Sequence, residues 1–347
     1  MFESSRITVE VLTGLHIRAG NLPLQADWDF VVDRGRVFVL DLDAVYERLW
    51  RGGAEIPRPA ELLRGRDPQA FARYVLALSG GQAPAELWPV IRNPADGGPL
   101  IPGSSLKGLI RTALAWELYG GPLSRYPGGS RPQHADDGLE RQYFGSEPHY
   151  DIFRALRISD LQPAGACPQW AAPVELYSVD AGGRLQPAPG RSLGVIEIVG
   201  AGAVFTGTVS LDLHLLGRAA ELRFKPEAVE ALRRWPDVLG RFGRNLLGRQ
   251  VRFLRERGLP RTADLLAGLG DRPGVIACLG WGTGWLGKTV GLKLSPEEVA
   301  DVARRYGLHR WRSRHFPGLF PISRRLARLT PGLVPLGWIG LKVEGSR

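Results

Sequence analysis

The sequence predicts an α+β fold built from two tandem units. Three observations carry that expectation: 347 residues suffice for two domains of roughly 150 residues each, strand-like and helix-like stretches interleave in both halves, and each half holds one glycine-rich turn with a lysine close behind it. No short-period repeat of the solenoid type is present. The longest of the Pro- and Gly-rich stretches is 162–191, so the boundary is expected there, giving units 1–165 and 166–347.

Taken in order, residues 7–17 alternate loosely and read as an opening strand, closed by a turn at Arg18, Ala19 and Gly20. Residues 37–40 read as a short buried strand, and a helix starts at Leu42 behind Asp41 or Asp43 as cap. The Pro- and Gly-rich stretches 83–103, 121–138 and 162–191 read as loops or linkers. A strand ends at 156–158. Two β-like runs, 194–199 and 204–213, flank Gly200, Ala201 and Gly202 in hairpin fashion.

Residues 237–257 form a long amphipathic helix after Pro236, with Leu239, Phe242, Leu246, Phe253 and Leu254 inward and Arg241, Arg244, Arg252 and Arg255 opposite. That basic face is either solvated surface or an RNA contact. Between 302 and 329 eight arginines occur without one acidic residue, interrupted by Trp311, His315, Phe316 and Phe320. Cations interleaved with aromatics suit single-stranded nucleic acid, and equally an arginine-rich surface docked on a protein.

The formal net charge of +10 is unevenly placed. Residues 1–100 carry 11 Lys+Arg against 13 Asp+Glu, leaving 34 against 22 for the remainder. Such asymmetry points to a polyanion, nucleic acid or an acidic membrane surface. The two cysteines, Cys167 and Cys278, have no CxxC spacing and no neighbouring histidine, which indicates neither a disulfide framework nor a zinc site. No stretch approaches the apolar length of a membrane span and the first residues lack a signal-peptide core, so a cytoplasmic location without membrane contact is expected.

Two runs carry the chemistry. In the first, Pro102 and Gly103 set a turn, Ser104 and Ser105 are candidate N-caps, and Leu106, Leu109, Ile110, Ala113 and Leu114 recur at helical spacing. Lys107 and Arg111, four apart, share the other face, so amides, hydroxyls and cations gather at a positive dipole end that suits phosphate. The second run, from Leu279 to Val290, holds Trp281, Gly282, Gly284, Trp285, Lys288 and Thr289. It is read as backbone that an RNA strand approaches closely, with Lys288 on phosphate and either tryptophan stacking or in the core.

Residues 282–289 also satisfy the expression GxxxxGK[ST]. A phosphate-cradling P-loop needs a helix starting at the Lys-Thr pair and a later strand bearing a magnesium-binding acid. Residues 289–294 instead alternate and read as a strand ended by Ser295 and Pro296, so nucleotide hydrolysis is not expected.

Seven segments in order are similar to the RAMP superfamily of CRISPR proteins: Leu12-Thr-Gly-Leu-His-Ile-Arg-Ala-Gly20, the Asp-rich pair ending at Asp33 and Asp43, Ile101-Pro-Gly-Ser-Ser-Leu-Lys-Gly108, Phe144-Gly145 ahead of Leu156-Arg-Ile-Ser-Asp160, the loop with Lys288-Thr289, Phe320-Pro-Ile-Ser-Arg-Arg325 and Pro335-Leu-Gly-Trp338. Within that superfamily the pattern most resembles the family of fifth Csm subunits of type III-A effector complexes. The resemblance implies two RRM-like, ferredoxin-type RAMP domains with long insertions. It implies a subunit without nuclease activity that caps the 3′ region of the crRNA, contacts the neighbouring filament RAMP subunit and other Csm-type subunits, and serves crRNA maturation and antiviral defence, with a trimming nuclease as a further partner.

By the same resemblance Gly103, Ser104, Ser105, Lys107 and Arg111 map to the RAMP helix start, and Gly282, Gly284, Lys288 and Thr289 to its glycine-rich loop. Arg18 stands where relatives commonly carry glycine and adds a phosphate contact. The RNA-binding set expected is completed by His16, Trp281, Trp285, Arg324 and Arg325. No catalytic residue, metal or cofactor is expected. The alternative is a metal-independent repeat endoribonuclease with His16 as general base, which requires that ring within hydrogen-bond reach of a 2′-hydroxyl. Asp27, Asp29, Asp33, Asp41 and Asp43 fall at turns and a helix start, where local hydrogen bonding accounts for them.

Overall fold

The computed structural model describes residues 2–80, 83–308, 320–329 and 332–345 and is a mixed α+β structure with two sheets. The first sheet runs Val275–Cys278, Trp338–Gly345, Phe2–Val11, Val204–Asp212 and Leu156–Ile158, with Gln162–Pro163 also paired to Val204–Asp212. Phe2–Val11 lies at its centre, antiparallel to both neighbours. The second sheet runs Leu24–Gln25, Glu86–Trp88, Leu185–Val199, Gln169–Val179, Ala72–Leu78, Arg36–Leu40 and Phe30–Asp33, and Ser323–Leu329 with Gly332–Pro335 extends it along Gln169–Val179.

The main core follows from the two periodicities. Ile7, Val9 and Val11 alternate inward along the first strand, and Leu106, Ile110, Ala113 and Leu114 line one face of the helix Gly103–Leu118, hereafter the serine helix. Val238, Leu239 and Phe242 of the long helix Trp235–Glu256 close the same core, with the Trp116 and Phe242 rings 5.7 Å apart. Gly243 lets the long helix lie close against the strand Val275–Cys278, since a Cβ there would lie 1.7 Å from the Ile276 carbonyl oxygen.

The helix Leu42–Leu49 is capped by Asp41, whose carboxylate accepts from Ala44 N at 3.2 Å. The long helix buries Leu239, Phe242, Leu246, Phe253 and Leu254, as its pattern requires. No described helix is long and apolar enough to cross a membrane.

Three expectations are corrected. The stretch 162–191 is no linker: it carries Gln169–Val179 and the start of Leu185–Val199, which pair antiparallel from Leu185 with Val179 to Val199 with Gln169. Its prolines and glycines accompany register shifts between Pro187, Ser192 and Val195, where bulges tolerate them. Both sheets contain strands from either side of 165. Nor do the strands around Gly200 to Gly202 form a hairpin. The segment 11–15 takes their hydrogen bonds, Leu15 with Val199 and Val11 with Gly202 and Ala203, and sends them to different sheets. Finally, residues 289–294 form turns, with Lys293 N bonding back to Val290 O, because Thr289 Oγ1 accepts Gly291 N and bends the backbone.

Candidate nucleic-acid interface

The serine helix begins at Gly103 with Pro102 as N-cap, which offers no side-chain acceptor. Its first free amide is satisfied from a distance: Gly103 N donates to Asp160 Oδ1 at 2.8 Å. A Cβ on Gly103 would stand 2.2 Å from Ile158 O, so glycine is needed for this strand to reach the helix start. Ser104 and Ser105 are therefore the second and third helical residues, not caps. Among the described residues their hydroxyls make no intramolecular hydrogen bond, and Ser104 is exposed.

The glycine loop follows Val275–Cys278 and is latched to the first strand's extension. Trp281 N donates to His16 O at 2.9 Å, Leu279 N to Gly337 O at 2.7 Å, and Gly337 N to Gly14 O at 2.8 Å. Gly280 has φ of 84° and its Cβ would lie 2.5 Å from His16 O; a Cβ on Gly282 would lie 2.6 Å from Leu336 Cβ. Gly280 and Gly282 thus admit the protein's own backbone and side chains. Gly284, at φ of 67° with nothing near its Cβ position, is the one that faces open space. No helix starts at Lys288, and Thr289 Oγ1 donates to Trp285 O at 3.0 Å.

Helix start and loop face each other across one groove of about 450 Å³. It is lined by Ser104, Ser105, Gly108 and Thr112 of the helix, by Gly280, Trp281, Gly287 and Lys288 of the loop, and by Arg18. Five residues from three distant parts of the expected set, Arg18, Ser104, Ser105, Trp281 and Lys288, thus converge. Partial desolvation and the nearby Arg325 pull the Lys288 ammonium below the usual lysine range. A cation in that position gains from a phosphate more than a free surface lysine does.

Most of the other expected residues make contacts within the protein. His16 is 2 % exposed, and its Nδ1 donates to Glu197 O at 2.8 Å. Burial lowers its pKa to about 4, against the opposing effect of that bond, so the ring is neutral and enclosed. It offers no accessible base. The Glu197 carboxylate, 1 % exposed, accepts from Tyr74 Oη at 2.5 Å, Val90 N at 2.9 Å and Arg92 Nη2 at 3.0 Å, anchoring the strand that holds His16.

Arg111 is fully engaged as well. It bonds Glu140 at 2.7 Å and Asp151 at 2.9 Å, and its guanidinium lies 4.8 Å and 5.0 Å from the Phe144 and Phe153 ring centroids. Lys107 lies outside the groove's lining, within the field of Asp151, Arg111 and Arg157, and partial burial lowers its pKa. Trp285 packs edge-on to Phe320 at 5.0 Å and over Gly291, where a Cβ would lie 2.2 Å from the ring. Arg324 donates to Gln250 at 2.6 Å and stacks 3.8 Å from Phe253; burial and Arg249 depress its pKa to about 9. Arg325 sits 4.4 Å over the Trp281 ring. Trp311, His315 and Phe316 lie outside the described residues.

On the long helix, Arg241 pairs with Glu117 at 2.6 Å and Arg255 with Asp264 at 2.6 Å, while Arg252 stays exposed. Sequence reasoning gave no role to Asp160 or Glu197. Asp160 closes the Leu-Arg-Ile-Ser-Asp run, which carried a signal, whereas Glu197 sits in an apolar strand where an isolated acid was the only hint.

The sequence profile of the RAMP superfamily matches residues 8–244. Among solved structures, the chain is similar to a chain of the cryo-EM structure of a Csm-crRNA-target RNA ternary complex in a type III-A CRISPR-Cas system, with 22 % identity, TM-score 0.72, and 97 % of this chain and 100 % of that chain covered. It is likewise similar to the crystal structure of T.onnurineus Csm5, with 23 % identity, TM-score 0.64, and coverage of 96 % and 99 %. No curated protein matches.

Proposed function

The chain belongs to the RAMP superfamily, whose profile spans more than half of its length, and from this premise we propose that it is a crRNA-binding subunit of a type III-A CRISPR effector complex. The observation that carries this reading is the single groove in which Arg18, Ser104, Ser105 and Lys288 meet. Two free hydroxyls, a partly desolvated ammonium and an exposed guanidinium suit a ribose-phosphate backbone, and none of them reads base identity. A guide RNA whose spacer varies needs that kind of grip.

The two solved relatives, covered almost end to end, support a place among Csm-type subunits. In this reading the protein caps the 3′ region of the crRNA, adjoins the neighbouring filament subunit, and leaves trimming to a separate nuclease. The enclosure of His16 weighs against a cleaving role.

Retention of crRNA by the assembled complex tests the proposal. The double variant Arg18→Ala with Lys288→Ala is expected to lose crRNA at physiological salt, whereas Lys107→Ala, outside the groove, retains it. Undiminished retention by the double variant overturns the assignment.

A further inference from the structure

Resting on the reading of the groove as an RNA site, we propose that Trp88 and Trp281, each backed by a stacked arginine, form a platform for unpaired RNA bases beside the phosphate grip. The Arg18 guanidinium lies 3.6 Å from the Trp88 ring centroid and that of Arg325 4.4 Å from the Trp281 centroid. Each is held by a backbone carbonyl: Arg18 Nη2 donates to Asn21 O at 3.1 Å, and Arg325 Nη1 to Trp281 O at 3.1 Å. Neither arginine has a carboxylate partner among the described residues, unlike Arg111, Arg241, Arg272 and Arg328. Their charge is uncompensated where the aromatic surface is presented.

The two stacks belong to one surface. Trp88 and Trp281 pack, half-buried, on the cluster of Ala172, Val174, Ile196, Ile198 and Ala327, one face of the second sheet, and Trp88 stands in register beside Ile196. Arg18 and Trp281 also line the groove. The platform is thus continuous with the proposed phosphate path, and bases leaving that path meet preorganised indole and guanidinium planes. Stacking of this kind tolerates any base. Trp88 becomes an RNA-contacting residue, Arg325 backs a base-stacking ring, and Arg18 serves both the phosphate path and the stack on Trp88.

Full-length protein titrated with a mixed-sequence single-stranded RNA, and with an abasic RNA of equal length, tests this. Trp88→Ala is expected to weaken binding of the base-bearing RNA about tenfold and to leave the abasic RNA unaffected, with Trp88→Phe restoring most of the loss. Arg18→Ala, at an exposed site that does not endanger folding, is expected to weaken both RNAs, the base-bearing one more than the abasic one. Equal losses on both RNAs for Trp88→Ala, or no loss on either, overturn the platform. So does a Trp88→Ala protein that keeps its RNA affinity but no longer joins its neighbouring subunit, which marks the face as a protein contact. If the unaltered protein binds neither RNA, the underlying RNA reading fails instead, and Lys288→Ala, which should weaken both, separates the two cases.

Discussion

Asp160 holds Gly103: the carboxylate oxygen accepts the first free amide of the serine helix at 2.8 Å, across 57 positions of sequence. The strand end and the helix start are thereby one unit, and the negative charge sits at the positive end of the helix dipole. Asp160→Ala removes both effects and is expected to cost about 1 kcal/mol of stability, read from urea unfolding. Asp160→Asn keeps an acceptor and should cost less. A stable Asp160→Ala protein with an unchanged midpoint would mean that water replaces the carboxylate without loss.

The glycine loop predicts an asymmetry between two glycines of similar backbone conformation. Gly280→Ala places a methyl 2.5 Å from His16 O at positive φ, while Gly284→Ala meets nothing. Both lie at positive φ with extended ψ, a region essentially reserved for glycine, and carry a penalty of about 1 to 3 kcal/mol; only the first must also displace the latch between loop and strand. Thermal unfolding should rank Gly280→Ala well below Gly284→Ala, and RNA affinity should fall with the former.

His16 makes stability depend on pH. Its folded pKa of about 4 lies below the ordinary 6.5, so between those values the unfolded chain binds a proton that the folded chain does not. Stability is then fully present above pH 6.5 and is lost as pH falls toward 4, by about 3 kcal/mol in all. Chemical denaturation across that range should show the slope for the unaltered protein and a shallower one for His16→Gln. RNA binding should not track this titration between pH 6.5 and 8.

Arg111 separates stability from binding. Arg111→Ala strands Glu140 and Asp151 beside two phenyl rings and is expected to destabilise by about 2 to 3 kcal/mol. Its crRNA affinity, measured on the folded fraction, should stay near that of the unaltered protein. A selective loss of affinity without destabilisation would return Arg111 to the phosphate site.

Salt reports the number of phosphates held. For single strands the slope of log affinity against log salt changes by about 0.7 per contact. Lys288→Ala should lower it by about that amount, and Lys107→Ala should leave it unchanged. The reverse ranking would place the grip on the other face of the serine helix.

Much of this protein was legible in its residues alone. Period-two alternation at Ile7, Val9 and Val11 and helical spacing from Leu106 to Leu114 specify their own burial, since side-chain direction follows directly from backbone geometry. The two chemistry-bearing runs and the basic excess of residues 101–347 were likewise present in order and composition. Tertiary structure decided the rest. Lys107 and Arg111 look equivalent to Lys288 and Arg18 in sequence, but whether a cation is free depends on which carboxylates the fold brings to it, and Glu140 and Asp151 come to Arg111 across 29 and 40 positions. Pro- and Gly-rich residues 162–191 could be linker or bulged strand, and only the pairing of Gln169–Val179 with Leu185–Val199 chose between them. Contacts distant in sequence leave no local periodicity, so local pattern names the elements while packing assigns their partners.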